Sequence, residues 1–197
     1  MGSRLTRCSN EKGYSSDELR ELEMQLVRSS YQYGSFRTGR DSLGRLLVYE
    51  TATSEPGLSQ TDALIQLADW DLLYESNASA LKMYKTAYQQ LERDGIAETS
   101  IQERFSPKTP IVLPAFVPNP LSSEKTRDST GYIDAAFEVT GDGRSRRVEI
   151  LDTTKNATRA AQKRLVQLIL RSRFRPIMTD GTFVKKTPIV VRYYVNE

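Results

Sequence analysis

The chain has 197 residues, of which 38% are hydrophobic and 27% charged, and its formal net charge at pH 7 is +3. It contains one cysteine, Cys8, and no histidine, which excludes an intramolecular disulfide and histidine-dependent catalysis and argues against a structural zinc site. No run of about 18 apolar residues is present, so the sequence predicts no membrane-spanning helix.

Two helices are predicted at the start of the chain, within residues 15–55. Ser15 and Glu18 have the spacing of a capping box, which marks a helix start. Leucines at helical spacing continue this helix to about Tyr31, and a second leucine-rich helix ends before Pro56. We expect the two helices to form an antiparallel pair.

A second helical pair is predicted over residues 59–95. Ser59 and Asp62 are typical of a helix start, and Asn77 is the predicted N-cap of the next helix. Asp94-Gly95 ends that helix, because glycine is favoured just beyond a helix C-terminus.

The second pair resembles a tetratricopeptide repeat. Its large and small residues have the spacing of that repeat at Leu64, Leu67, Ala68, Ala80, Tyr84 and Ala87. Residues 15–105 therefore resemble a degenerate tetratricopeptide-repeat region, and an ordinary helical hairpin is the alternative. We expect Trp70 to be buried between these helices.

A proline-rich segment follows. A further short helix is predicted between Ile96 and Phe105, and five prolines then fall between Pro107 and Pro120, where a helix cannot form. Residues 111–117 are too apolar for a free linker. We therefore predict an extended strap at residues 106–126 that is held against a surface of the protein.

The remaining unit, residues 127–197, opens with a predicted β-hairpin. Alternation of apolar and more polar residues predicts a strand whose buried face is Ile133, Ala135, Phe137 and Val139. The Gly141-Asp142-Gly143 stretch indicates a hairpin turn. Val148 and Ile150 then resume the alternation in a second strand.

A helix and a final strand complete this unit. The helix presents Ala157, Ala161, Leu165 and Leu168 on one face and ends near Ser172, before the Pro176 that cannot continue it. The final strand presents Ile189, Val191, Tyr193 and Val195. A helical crossover joins the second and third strands, so these should be parallel, with the first strand between them and antiparallel to both. The sequence thus predicts an α+β chain with sheet order second–first–third.

These elements, in this order, resemble the C-terminal domain of TonB-family proteins. The matching stretches are residues 131–139, 141–144, 148–151, 174–176, 180–181 and the final strand. In that family the last strand captures a short segment of an outer-membrane transporter and couples inner-membrane energy to uptake. The resemblance implies binding by β-strand addition.

Carried over by position, the partner-binding edge consists of Ile189, Val190, Val191, Arg192, Tyr193 and Tyr194. An edge of this kind also permits a homodimer through the same strand. No spacer of Lys-Pro or Glu-Pro repeats precedes the domain. We therefore predict a peptide-binding adaptor, with an outer-membrane transporter segment as one possible partner, rather than an energy transducer.

No residues indicate catalysis. The sequence has no phosphate-binding glycine loop, no paired metal ligands and no nucleophile beside a base, so we predict no enzyme, no cofactor and no metal site.

The C-terminal unit is basic, whereas the rest of the chain is mildly acidic. Its candidate surface cations are Arg144, Arg146, Arg147, Arg159, Lys163, Arg164, Arg171, Arg173 and Arg175. A nucleic-acid-binding module is therefore the first alternative function, and a purely structural envelope protein is the second. We do not expect nucleic acid as a partner.

The sequence as a whole predicts a non-enzymatic cell-envelope protein with a periplasmic location. Residues 1–3 are typical of an expression start, so we expect a native signal peptide or membrane anchor to be missing from this chain. We also expect residues 127–197 to fold without the helices. Their predicted core is Ile133, Phe137, Val148, Ile150, Leu165, Leu168, Val191 and Tyr193.

Overall fold

The computed structural model of the chain describes residues 15–53, 58–106, 111 and 129–196. The helices that precede the sheet are α1 (Ser16–Gln32), α2 (Phe36–Thr53), α3 (Leu58–Leu73), α4 (Asn77–Arg93) and α5 (Glu98–Arg104). The elements that follow are β1 (Ser129–Thr140), β2 (Ser145–Thr153), α6 (Arg159–Arg171), β3 (Met178–Thr179), β4 (Thr182–Phe183) and β5 (Lys186–Asn196). The chain is α+β, as predicted.

The helices α1 to α4 pack in chain order, each against the next. The capping box at the start of α1 is present: the Glu18 amide donates to Ser15 Oγ at 3.2 Å, and the Ser15 amide donates to the Glu18 carboxylate at 2.7 Å. Three-residue connections between α1 and α2 and between α3 and α4 make these neighbours antiparallel.

The predicted cap at Asn77 is wrong. Asn77 is the first residue of α4, and Ser76 is the N-cap, without a side-chain hydrogen bond. The reason is the turn that precedes it. Glu75 has a φ of 64°, and the Ser76 amide closes the end of α3 on the carbonyl of Asp71 at 2.8 Å. Because of this turn, α4 starts one residue earlier than the preference of asparagine for the N-cap position predicts. The third helix, α3, begins at Leu58, one residue before the predicted start at Ser59.

Trp70 is buried, as predicted, but its ring packs against the first helical pair and not within the second. Its ring is fully buried and its indole N–H donates to the carbonyl of Phe36 at 3.1 Å. The ring lies so close to α2 that a Cβ on Gly39 would fall 2.2 Å from it. The core around it consists of Val27, Leu43, Leu46, Leu67 and Trp70.

A second core lies between α3, α4 and α5. Its buried members are Ile65, Ala68, Leu72, Ala80, Tyr84, Ala87, Tyr88, Leu91, Ile101, Phe105, Ile111 and Met178. Three of these come from outside the helices: Phe105 directly follows α5, and Ile111 and Met178 come from later in the chain. The predicted short helix before the strap is present as α5.

The sheet has the predicted order. β1 is the central strand and pairs antiparallel with β2 on one side and β5 on the other. α6 covers one face of the sheet; its N-cap is Thr158, whose hydroxyl accepts from the Ala161 amide at 3.2 Å. The buried residues of this core are Ile133, Ala135, Phe137, Val139, Ala157, Leu165, Ile169, Phe174, Ile189, Val191 and Tyr193.

The sheet unit is joined to the helices through residues 173–184. Arg173 forms an antiparallel bridge with Arg144, and the Phe174 amide donates to the carbonyl of Gly143 at 2.9 Å. Gly143 has a φ of 74°, and a Cβ there would fall 2.4 Å from the Phe174 carbonyl oxygen. The sheet unit has its own core. Met178, which follows in the same segment, is instead buried in the core of the helices.

Ile111 is the one interior residue of the strap that the structure describes; residues 107–110 and 112–128 lie outside the described part. Ile111 is buried, and its amide donates to the carbonyl of Arg173 at 2.7 Å. Arg173 lies on the outer side of Arg144, because the Arg144 carbonyl accepts from Thr140 of β1 on its other side. Ile111 is therefore attached on the β2 side of the sheet, away from β5.

Replacing Trp70 with alanine should lower the free energy of unfolding by about 3 kcal/mol, because it leaves a large cavity between α2 and α3. The measurement is urea denaturation followed by circular dichroism. Tyr33→Ala is the matched aromatic control, since Tyr33 is 79% exposed, and it should cost less than about 0.5 kcal/mol. Equal midpoints for the two variants would contradict the central position of Trp70.

Candidate peptide-binding edge

The two outer strands of the sheet differ in regularity. β5 pairs with β1 without interruption from Val195 to Lys186. β2 pairs with β1 through two register shifts, which place extra residues at Leu151 and near Arg147, whose φ is 53°. Bulges distort a strand edge and oppose the addition of another strand. β5 is therefore the regular edge and β2 the protected one.

The hydrogen bonds at the start of β5 show which backbone groups face outward. The Gly141 amide donates to the carbonyl of Lys185 at 3.2 Å, and Thr140 lies opposite Lys186. In an antiparallel ladder this makes Thr140 and Lys186 a non-hydrogen-bonded pair. By alternation, the backbone groups of Val190, Arg192 and Tyr194 point away from β1. Pro188 has no N–H, but it lies at a position whose backbone groups point outward, so no hydrogen bond with β1 is lost.

The six residues predicted for partner binding thus divide into two sets. Ile189, Val191 and Tyr193 are buried in the sheet core and hydrogen-bond toward β1. Val190, Arg192 and Tyr194 carry the outward-facing backbone, and the Val190 side chain is 65% exposed. The binding role of the strand stays a prediction, and the groups available for it are those of the second set.

The one charge between Ile189 and Val195 is neutralised within the sheet. Arg192 donates to both carboxylate oxygens of Asp134 at 2.7 Å, and its guanidinium carbon lies 3.8 Å from the centroid of the Tyr132 ring. Hydrogen bonding from Arg192 lowers the pKa of the Asp134 carboxyl. Because Arg192 lies against β1, it does not project over the outer edge of β5. Charge therefore gives this edge little protection against strand addition.

A groove of about 590 Å³ lies beside the C-terminal half of β5. α6 packs mainly against β2, so the helix-side face of the sheet is uncovered toward β5. The groove is lined by Ile133, Ala161, Lys163, Arg164, Leu165, Gln167, Leu168, Arg171, Tyr193, Tyr194 and Val195. Sequence reasoning missed this groove, because its existence depends on how α6 is placed over the sheet.

Tyr193 lines the groove and carries an unsatisfied polar atom. Its hydroxyl is buried and has no hydrogen-bond partner within the described part of the chain. Burial raises the pKa of this phenol, so the hydroxyl is protonated at neutral pH. A protonated hydroxyl in this position can donate a hydrogen bond to a bound group.

A buried ion pair joins the sheet unit to the helices. Arg175 donates to both oxygens of Asp69 at 2.9 and 2.6 Å and to the carbonyl of Arg104 at 2.7 Å. Tyr84 donates to the same carboxylate at 2.6 Å, and burial together with the nearby Asp69 raises the pKa of Tyr84 well above its usual value. Asp69 thus accepts hydrogen bonds from Tyr84 of α4 and from Arg175, and it holds residues 173–184 against α3.

Several predicted surface cations are paired in the structure. Arg175 pairs with Asp69, Arg173 and Arg144 both pair with Glu75, and Arg147 pairs with Glu138. These contacts reduce the positive field of the unit that a nucleic-acid-binding surface would need. The cations around the groove, Lys163, Arg164 and Arg171, form no ion pair within residues 15–53, 58–106, 111 and 129–196.

The described residues contain no cluster of three or more histidine, cysteine, aspartate or glutamate side chains that could hold a metal ion. Among the helices described, none has the length and apolar character needed to cross a membrane.

Comparisons of the chain with models of protein families, with curated proteins and with solved structures found no match. The prediction that β5 is a binding edge therefore depends on the backbone geometry, burial and charges of this chain.

Replacing Asp69 with asparagine should destabilise the protein by about 3 kcal/mol, because it leaves the Arg175 guanidinium without a counter-charge in a largely buried site. The measurement is the free energy of unfolding in urea. Glu75→Gln is the matched control: it removes a carboxylate that pairs with Arg173 but is well exposed, so it should cost less than about 1 kcal/mol. Equal costs for the two changes would show that the Asp69 pair does not fix the junction.

Proposed function

We propose that this protein is a non-enzymatic binding protein that captures an extended peptide segment by β-strand addition to the outer edge of β5. The observation that carries the proposal is the contrast between the two edges of the sheet. β5 is regular over residues 186–195 and presents outward-facing amides at Val190, Arg192 and Tyr194. β2 is bulged, and its start is covered by Arg173 and Ile111.

The cellular setting is part of the proposal. The hairpin–helix–strand order, the turn at residues 141–144 and the step at 174–176 resemble the C-terminal domain of the TonB family. On that basis the partner is a protein of the cell envelope, with a segment of an outer-membrane transporter as the leading candidate. The protein then acts in the periplasm as an adaptor for transport.

The helical region supplies the second half of this proposal. Ala68, Ala80, Tyr84 and Ala87 are buried, and their spacing resembles that of a tetratricopeptide repeat. Such repeats serve as scaffolds for protein contacts. We assign the helices the role of a scaffold that holds the sheet unit through Asp69 and Arg175. The same β5 edge also permits pairing with a second copy of the chain.

Val190→Pro tests strand addition. The change removes an amide that points outward and leaves the ladder with β1 intact, so the fold should persist while peptide binding falls by about tenfold or more. The probe is a capped peptide of about ten residues that alternates valine and threonine, with lysine at both ends. Binding is measured by fluorescence anisotropy, and folding by circular dichroism.

Val190→Thr is the matched control, because it keeps the amide and the branched shape of the side chain. It should bind the probe about as well as the parent. A Val190→Pro variant that is folded and binds as tightly as Val190→Thr would refute docking at this edge. The same pair of variants, compared by sedimentation, shows whether any self-association uses the edge.

A further inference from the structure

We infer that the groove beside β5 recognises an acidic side chain of the docked peptide, so that the preferred partner is an extended segment with glutamate or aspartate at a position facing α6. This inference rests on the proposed function, since it assigns a side-chain preference to the strand captured by β5. Three observations carry it: the position of the groove, its charge and the unsatisfied hydroxyl of Tyr193, a residue that lines it.

The groove lies where side chains of an added strand would arrive. Successive side chains of a strand point to opposite faces of the sheet. On the face covered by α6, every second side chain of a strand docked on β5 would therefore point toward the space between Leu168 and Val195. Apolar walls from Ile133 and Leu165 can accommodate the methylene part of such a side chain.

The groove is positively charged. Lys163, Arg164 and Arg171 line it, and its described lining contains no aspartate or glutamate. All three side chains are exposed on α6 and make no ion pair among the residues that the structure describes. A carboxylate that entered the groove would gain favourable interactions with these cations, and an amide of the same shape would gain much less.

The Tyr193 hydroxyl supplies a directional contact. Tyr193 is 2% exposed, and its hydroxyl has no partner within the described part of the chain. An unsatisfied buried hydroxyl destabilises the free protein and becomes satisfied when an acceptor binds. A carboxylate is the strongest side-chain acceptor for a phenol O–H, so the hydroxyl and the three cations favour the same chemical group.

The test compares two series of peptides built on the probe described above. In one series glutamate replaces each valine in turn; in the other, glutamine replaces the same residues. At one position or more, the glutamate peptide should bind the parent protein about tenfold more tightly than its glutamine counterpart. The preference should shrink as salt is raised, because the cations of the groove are solvent-exposed.

Variants then connect the preference to the groove. Arg164→Gln and Tyr193→Phe should each reduce the glutamate preference severalfold, whereas Arg146→Gln, an equal loss of charge on β2, should leave it unchanged. Tyr193→Phe should also leave stability equal to or above that of the parent, because it removes an unsatisfied hydroxyl. A purely structural role for Tyr193 would instead lower stability without changing the ratio of the two affinities.

The outcomes separate this inference from the proposed function. Equal binding of glutamate and glutamine peptides, with binding still sensitive to Val190→Pro, would overturn the groove's role and leave strand addition standing. A glutamate preference that survives in both Arg164→Gln and Tyr193→Phe would place the acidic site elsewhere and also overturn the inference. Binding of no peptide in either series would overturn both.

Discussion

The contact between Arg175 and Asp69 fixes the relation between the two parts of this molecule. Arg175 directly follows Phe174, which is buried in the sheet core. The Arg175 guanidinium pairs with the buried carboxylate of Asp69 in α3. Burial by itself would lower the pKa of Arg175, but the hydrogen bonds and charge of Asp69 outweigh it and raise the pKa. Arg175 therefore stays charged, and either partner without the other would be a costly charge in a largely buried site.

This one contact has consequences for the edges of the sheet. It holds residues 173–184 against the helices. At the start of this segment, Arg173 forms a bridge with Arg144, and the Phe174 amide donates to the carbonyl of Gly143. The start of β2 is therefore covered from within the chain, and its remaining length is bulged. No strand of the described chain pairs with the outer side of β5. Among the described residues, the regular and unpaired strand edge is thus on one side of the sheet, that of β5.

The elements that depend on local pattern were predictable from the sequence. Alternation around Phe137 and Val191 specifies which face of each strand is buried, because a one-residue slip would expose that face. The Gly141–Gly143 turn and the crossover through α6 specify the strand order. The contacts of Arg175 were not predictable, because its partner lies 106 residues away in the chain. The division of β5 into inward- and outward-facing residues depends on the phase of the ladder. Whether the Tyr193 hydroxyl finds a hydrogen-bond partner depends on the placement of α6. Neither can be predicted from composition.

Residue-resolved amide hydrogen exchange of β5 tests the central claim most directly. In the free protein the amides of Ile189, Val191 and Tyr193 should exchange slowly, and those of Val190, Arg192 and Tyr194 should exchange fast, because only the first set donates to β1. Addition of the valine–threonine probe peptide should slow exchange in the second set alone. Uniform protection along β5 in the free protein, or no new protection at the outward amides when peptide is bound, would contradict strand addition at this edge.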